Sequence, residues 1–206
     1  MTIDASEYLD RQRPVTALSG RPRVVAFIGS SDIAAMDSLL SRLADALSVP
    51  GRRVFKVDCP PVSGDDLAEN LALMAGTAGA DFLLVGLPLR LCPSAWSVLS
   101  GCDLIIVAGS CQFEYLSEAE NIVKALLYLG IGTERVAGVI VDPEGILSSE
   151  SLAGIEPYLE SILGIQMAGV VSFGSGTRPS RDIERLARFI TPRVWPAEEP
   201  VLSGAL

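Results

Sequence analysis

The chain reads as an α/β protein, a doubly wound, mainly parallel sheet of about six or more strands with helices on both faces. Three observations predict this. Short apolar runs without polar alternation recur along the sequence, as in strands buried on both faces. Segments of helical period separate them, so strand and helix alternate as in βαβ units. Of the 206 residues, 49% are apolar and 20% charged, enough material for one core.

VVAFIG (Val24–Gly29) is the first strand signal, ended by glycine. MDSLLSRLADAL (Met36–Leu47) follows with Leu39, Leu40, Leu43 and Leu47 on one helical face. RRVFKVD (Arg52–Asp58) predicts a second strand and DLAENLALMAG a helix. DFLLVGLP (Asp81–Pro88) and DLIIVAG (Asp103–Gly109) predict strands three and four. SEAENIVKALLYLG (Ser117–Gly130) predicts an amphipathic helix, with Ser117 and Glu120 as a capping box and Gly130 as its stop. RVAGVIVD (Arg135–Asp142) and MAGVVSF (Met167–Phe173) predict the last strands. Between them SLAGIEPYLESILG predicts a helix interrupted by Pro157, and SRDIERLARFI (Ser180–Ile190) ends the series. Residues 1–22 and 192–206, rich in Pro and Gly, read as a flexible leader and tail around a domain spanning 23–191.

Composition excludes several functions. The net charge is −9, against a protein that works by gripping nucleic-acid phosphates. There is no histidine, which removes His-based triads, metal sites and proton switches, and leaves a serine nucleophile without its usual base. Cys59, Cys92, Cys102 and Cys111 form no CxxC pair and read as reduced, buried thiols. The polar, acidic N-terminus is no signal peptide, and no apolar run approaches a membrane span, so the expected location is cytoplasmic.

In a doubly wound sheet a ligand sits at the carboxyl ends of the strands. The stretches there are Gly29–Asp37, Asp58–Ser63, Gly86–Pro93, Gly109–Glu114 and Asp142–Leu147. From Val24 to about Ile190 the order and spacing resemble the MinD/ParA group of P-loop ATPases, and within it the TadZ/CpaE-type pilus localisation proteins. The bacterial tyrosine-kinase ATPases of capsule export are a second relative. The resemblance implies a P-loop NTPase-like fold and a deviant Walker A loop, KGGxGKT, after the first strand. The matching stretch here is SDIAAMDS. Ser31 stands at the signature Lys, Asp32 and Ile33 at two glycines, Ala35 at the last glycine, Met36 at the phosphate Lys and Asp37 at the first Thr. Ser38 is the one plausible remnant. Asp32 and Asp37 oppose a triphosphate, and Asp32 also reads as a helix N-cap. The family's Mg²⁺-orienting Asp falls on Gly86. Asp58 and Asp142 stand near a switch acid and an adenine-reading Asn of the family, and both also read as turn residues.

These losses imply a non-catalytic MinD/ParA-like protein, a localisation or assembly factor that needs no cofactor. The alternative is an ATPase switch with an aberrant loop, in which Ser30, Ser31, Ser38, Asp58 and Asp142 serve ATP and Mg²⁺. The expected partners are a second copy, an active ATPase relative or other assembly proteins, and no nucleic acid. Trp96, Phe113 and Tyr115 are the interface candidates. The last helix sets Ile183, Leu186, Ala187 and Ile190 against Arg181, Arg185 and Arg188. Membrane contact through it would need Phe189, Val194 and Trp195 exposed.

Overall fold

A computed structural model describes residues 22–29, 33–50, 52–58, 67–87, 93–110, 113–142, 145, 147, 149–173 and 181–194. The chain runs β1 (Arg23–Gly29), α1 (Ile33–Leu47), β2 (Val54–Asp58), α2 (Leu67–Ala78), β3 (Phe82–Leu87), α3 (Pro93–Gly101) and β4 (Leu104–Ser110). Then come α4 (Phe113–Tyr128), a 3-10 turn (Thr133–Arg135), β5 (Val136–Asp142), α5 (Ser149–Leu163), β6 (Gln166–Ser172) and α6 (Arg181–Val194). The strands form one six-stranded sheet in the order β2-β3-β1-β4-β5-β6. Every pair is parallel.

The sheet is covered on both sides because its strands are apolar on both sides. In β1, Val25 and Phe27 join a core with α1 and α6, while Ala26 and Ile28 join one with α2, α3, α4 and α5. Parallel strands need such crossovers, since a hairpin cannot return the chain in the same direction. The α1 stripe of Leu39, Leu40, Leu43 and Leu47 is almost wholly buried, as its spacing predicts.

Charged side chains pin the ends of the strands. Asp103 accepts the Val24 N–H at 2.8 Å and Arg23 Nη1 at 3.1 Å, which ties β1 to the start of β4. Asp81 Oδ2 accepts the Arg53 N–H at 2.7 Å ahead of β2. Arg135 Nη2 donates to the carbonyls of Leu99 at 3.4 Å and Ser100 at 3.1 Å, and to that of Cys102, so a guanidinium satisfies the open carbonyls at the end of α3. Cys102 is a buried free thiol that donates to the Leu99 carbonyl at 3.2 Å. Burial pushes it up to about 12, with Arg135 opposing the rise. The other three cysteines lie outside the described residues.

Four local expectations change. The α1 helix starts at Ile33, one turn before Met36. Ser117 lies inside α4, which begins at Phe113, so it is not the cap. Pro157 does not interrupt α5: the helix continues through it, with the proline on the exposed face. The α6 helix continues through Pro192, and Val194 is 1% exposed, so the packed domain reaches three residues past 191. The α3 helix, whose Pro93 suits a first helical position, was not legible from periodicity. Residues 1–21 and 195–206 lie outside the described residues.

Gly29 ends β1 at φ 138°, and a Cβ there would lie 1.9 Å from the Ala108 carbonyl oxygen of β4. Neither group can retreat, because Gly29 and Ala108 are register partners in the middle of the sheet. Gly29→Ala is expected to cost at least about 2 kcal/mol. Thermal unfolding should show this as a fall in Tm of at least about 4 °C.

Candidate functional site

Strand order reverses direction at β1. The chain leaves β1 toward β2 under α1 on one face, and returns over β1 from β3 to β4 through α3 on the other. The crevice this opens, at the carboxyl ends of β1, β3 and β4, is where open α/β sheets bind ligands. Residues 30–32, 59–66, 88–92 and 111–112 leave the strands here and lie outside the described residues, which includes Ser30, Ser31 and Asp32.

The described residues still define what faces the crevice. Three residues separate Gly29 from α1, so Ile33, Ala34, Ala35, Met36 and Asp37 are helical. A phosphate cradle uses backbone N–H groups of the loop and of the first helical turn that follows it. Here the N–H groups from Asp37 onward are placed for carbonyls four residues back. Ala35 and Met36 are 7% and 8% exposed and pack in the core beneath α1. The position of a phosphate lysine thus carries an apolar side chain turned into the protein.

Asp37 is exposed, and its carboxylate pairs with the ammonium of Lys56 on β2. Lys56 Nζ also donates to Ser41 Oγ at 3.1 Å, one turn further along α1. Pairing fixes the charge of this corner internally: the acid at the first-Thr position holds a cation from the neighbouring strand. Sequence spacing does not bring residues 37, 41 and 56 together. The available signal was that Lys56 is one of two lysines and lies on the β2 face that α1 covers. Ser38 is half-buried in the second turn of α1.

Gly86 lies between Phe27 of β1 and Asp58 of β2 in the sheet register and has no side chain to offer a metal. Asp58 ends β2 beside it, and its side chain lies outside the described residues. Asp142 is 1% exposed, the one charged residue buried among those described. Its Oδ2 accepts the Leu147 N–H at 3.0 Å and its carbonyl accepts the Gly145 N–H at 3.3 Å. The carboxylate therefore shapes the connection from β5 to α5. The positions that the sequence resemblance sets at the cation, the close-approach glycine and the metal carboxylate carry Met36, Ala35 and Gly86.

The remaining candidates fall elsewhere. Trp96 on α3 is half-buried and packs on the core, so it offers a partner only part of its ring. Phe113 and Tyr115 lie in the first turn of α4, with side chains outside the described residues. The apolar stripe of α6, Ile183, Leu186, Ala187, Ile190 and Val194, is buried. Three of its four arginines are engaged, Arg185 with Glu156 at 2.8 Å and 3.1 Å, Arg188 with Glu184 at 3.6 Å, and Arg193 stacked 3.6 Å from the Phe189 ring centroid, while Arg181 is exposed. The apolar face a membrane helix would need is used for folding, and Trp195 lies outside the described residues. Among the described residues no helix is long and apolar enough to cross a membrane.

Asp142→Ala should cost about 1–3 kcal/mol by orphaning the Leu147 N–H, and Asp142→Asn, which keeps an acceptor, should cost clearly less. Equal losses in chemical denaturation would remove the turn-building role.

No protein-family model and no curated protein match this chain. Solved structures do. The MinD cell division protein of Aquifex aeolicus matches with a TM-score of 0.64 at 12% identity, covering 82% of this chain and 97% of its own. Pyrococcus horikoshii septum site-determining MinD, complexed with Mg-ADP, matches at 0.61 and 12%, covering 82% and 96%. A putative plasmid partition protein of Borrelia burgdorferi, bound to AMPPNP, matches at 0.60 and 9%, covering 84% and 100%. What is shared at these identities is the fold, that of the MinD/ParA P-loop NTPases.

Proposed function

We propose that the chain is a non-catalytic protein on the MinD/ParA scaffold, a localisation or assembly factor that works by binding other proteins. The observation that carries this is the first turn of α1. Where the scaffold would cradle phosphate, residues 33–37 are helical, Met36 is in the core and Asp37 holds Lys56. Met36 there is 8% exposed, so its burial, worth about 1.5–3 kcal/mol, opposes turning that position toward a phosphate. A nucleotide there would also bring a polyanion against Asp37, with no carboxylate at Gly86 to hold the metal.

The solved neighbours are named for cell division and plasmid partition. By that analogy the chain serves a division, polarity, pilus or secretion apparatus, paired with a second copy or with an active relative. A scaffold that keeps its core and loses its chemistry retains surfaces, and those are what a partner reads.

Calorimetry and thermal melts with millimolar ATP, ADP and GTP plus Mg²⁺ test the reading. A ligand at about 100 times its Kd adds about 2.7 kcal/mol to stability, which for a chain of this size raises Tm by about 5–10 °C. The expected outcome is no saturable heat and no such rise. A saturable rise with any of the three identifies a nucleotide-dependent switch instead.

A further inference from the structure

A groove of about 440 Å³ opens between the end of α1 and the side of α6, toward the amino edge of the sheet and away from the crevice at its carboxyl edge. Its apolar lining is small. Ala46 and Ala187 come one from each helix, beside the buried Leu47, so a space is left that larger side chains would fill. Val49 and Arg52 line it from the connection after α1, in a turn closed by the Arg52 N–H on the Val49 carbonyl at 2.9 Å. Glu184, Arg188 and Thr191 line it from α6. The Thr191 hydroxyl donates back to the Ala187 carbonyl at 2.8 Å, and the Arg188–Glu184 pair is exposed and 3.6 Å long, so it holds Arg188 only weakly.

We infer that the chain's own segment Trp195–Glu199 closes this groove, with the Trp195 indole on the apolar lining and Glu198 and Glu199 against Arg52 and Arg188. Chain geometry is the first reason. Residues 184, 188 and 191 make one ridge of α6, and the next position in that series is 195, directly after the helix ends at Val194. A side chain leaving a helix there leans back over the preceding turn, which is the turn of Thr191. Pro196 then prevents the helix from running on past the groove. Chemistry is the second reason. The sequence WPAEE joins one large apolar ring to two carboxylates. In a chain carrying −9 most of the surface repels such a segment, whereas this groove sets two guanidinium groups against one carboxylate. Attachment selects the occupant: a segment that begins one turn from the groove is present at an effective concentration on the order of millimolar, above that of a free partner. Once seated, it clamps the end of α1 to α6.

This goes beyond the proposed function and does not rest on it. Trp96 and Trp195 are the two tryptophans of the chain, so Trp96→Phe leaves Trp195 as the single indole reporter. Acrylamide should quench it at least about threefold less in the native protein than in denaturant, as for a segment docked most of the time. The protection should be the same at about 1 and about 100 µM, since the contact is intramolecular. Val49→Asp, which puts a carboxylate on the lining, and the double variant Arg52→Glu/Arg188→Glu should each release the indole. Leu73→Asp, at an exposed site on α2 of the opposite face, should not. If Trp96→Phe does not fold, the difference between the full chain and its Trp195→Phe variant gives the same reading. An indole quenched equally in native and denatured protein overturns the inference. So does protection that survives both groove variants, that Leu73→Asp removes as well, or that appears only as concentration rises, which assigns the contact to a second copy.

Discussion

The burial of α1 against the sheet governs what the carboxyl edge can do. Leu39, Leu40, Leu43 and Leu47 are each at most 1% exposed, and Met36 extends the same face by one turn. Five such side chains are worth on the order of 10 kcal/mol, comparable to the whole stability of a domain. The helix cannot slide along the sheet to open a loop at its start without giving up part of this. At the other end of the connection β1 is equally constrained, because Gly29 already lies against the Ala108 carbonyl.

The charges follow from the same arrangement. With α1 over β2, an outward residue in its second turn faces the side chains of that strand, and Asp37 meets Lys56. Both groups are partly exposed, so the pair contributes about 0–1 kcal/mol and does not explain the fold. Its consequence is local. The lysine that could have balanced an anion here is engaged by a carboxylate of its own protein, and a second acid, Asp58, ends the same strand. Elsewhere ionic contacts perform fastening: Asp103 across β1, Arg135 on the end of α3, Arg185 with Glu156 around the β6 edge.

The fold was legible because its strands are double-faced and its helices single-faced, and those two patterns differ in period. Val24–Gly29 and Arg135–Asp142 read as strands from composition alone, and the leucine stripe of α1 was visible in the spacing of residues 39–47. The edges of elements were less legible. The first turn of α1, Ile-Ala-Ala, extends the apolar period but looks like a degenerate loop when aligned to a glycine-rich one, and α3 is too short and too evenly apolar to show a period. Pro157 and Pro192 looked like breaks and are not: each helix continues through its proline, which lies on an exposed face. The sequence resemblance marked Met36, Ala35 and Gly86 as positions without the expected Lys, Gly and Asp. The contact of Lys56 with Asp37 and Ser41 was not legible, since it depends on how α1 sits over β2, which no local pattern encodes.

Losing a ligand site while keeping a scaffold has a physical requirement. A nucleotide cradle holds anionic charge with backbone N–H groups and cations that are costly to leave without a partner. A protein that stops using the ligand is stabilised by filling that vacancy from within. On the proposed function, the residues here do so: Ala35 and Met36 pack beneath α1, and Asp37 holds Lys56. Asp142 is absorbed into the turn it begins.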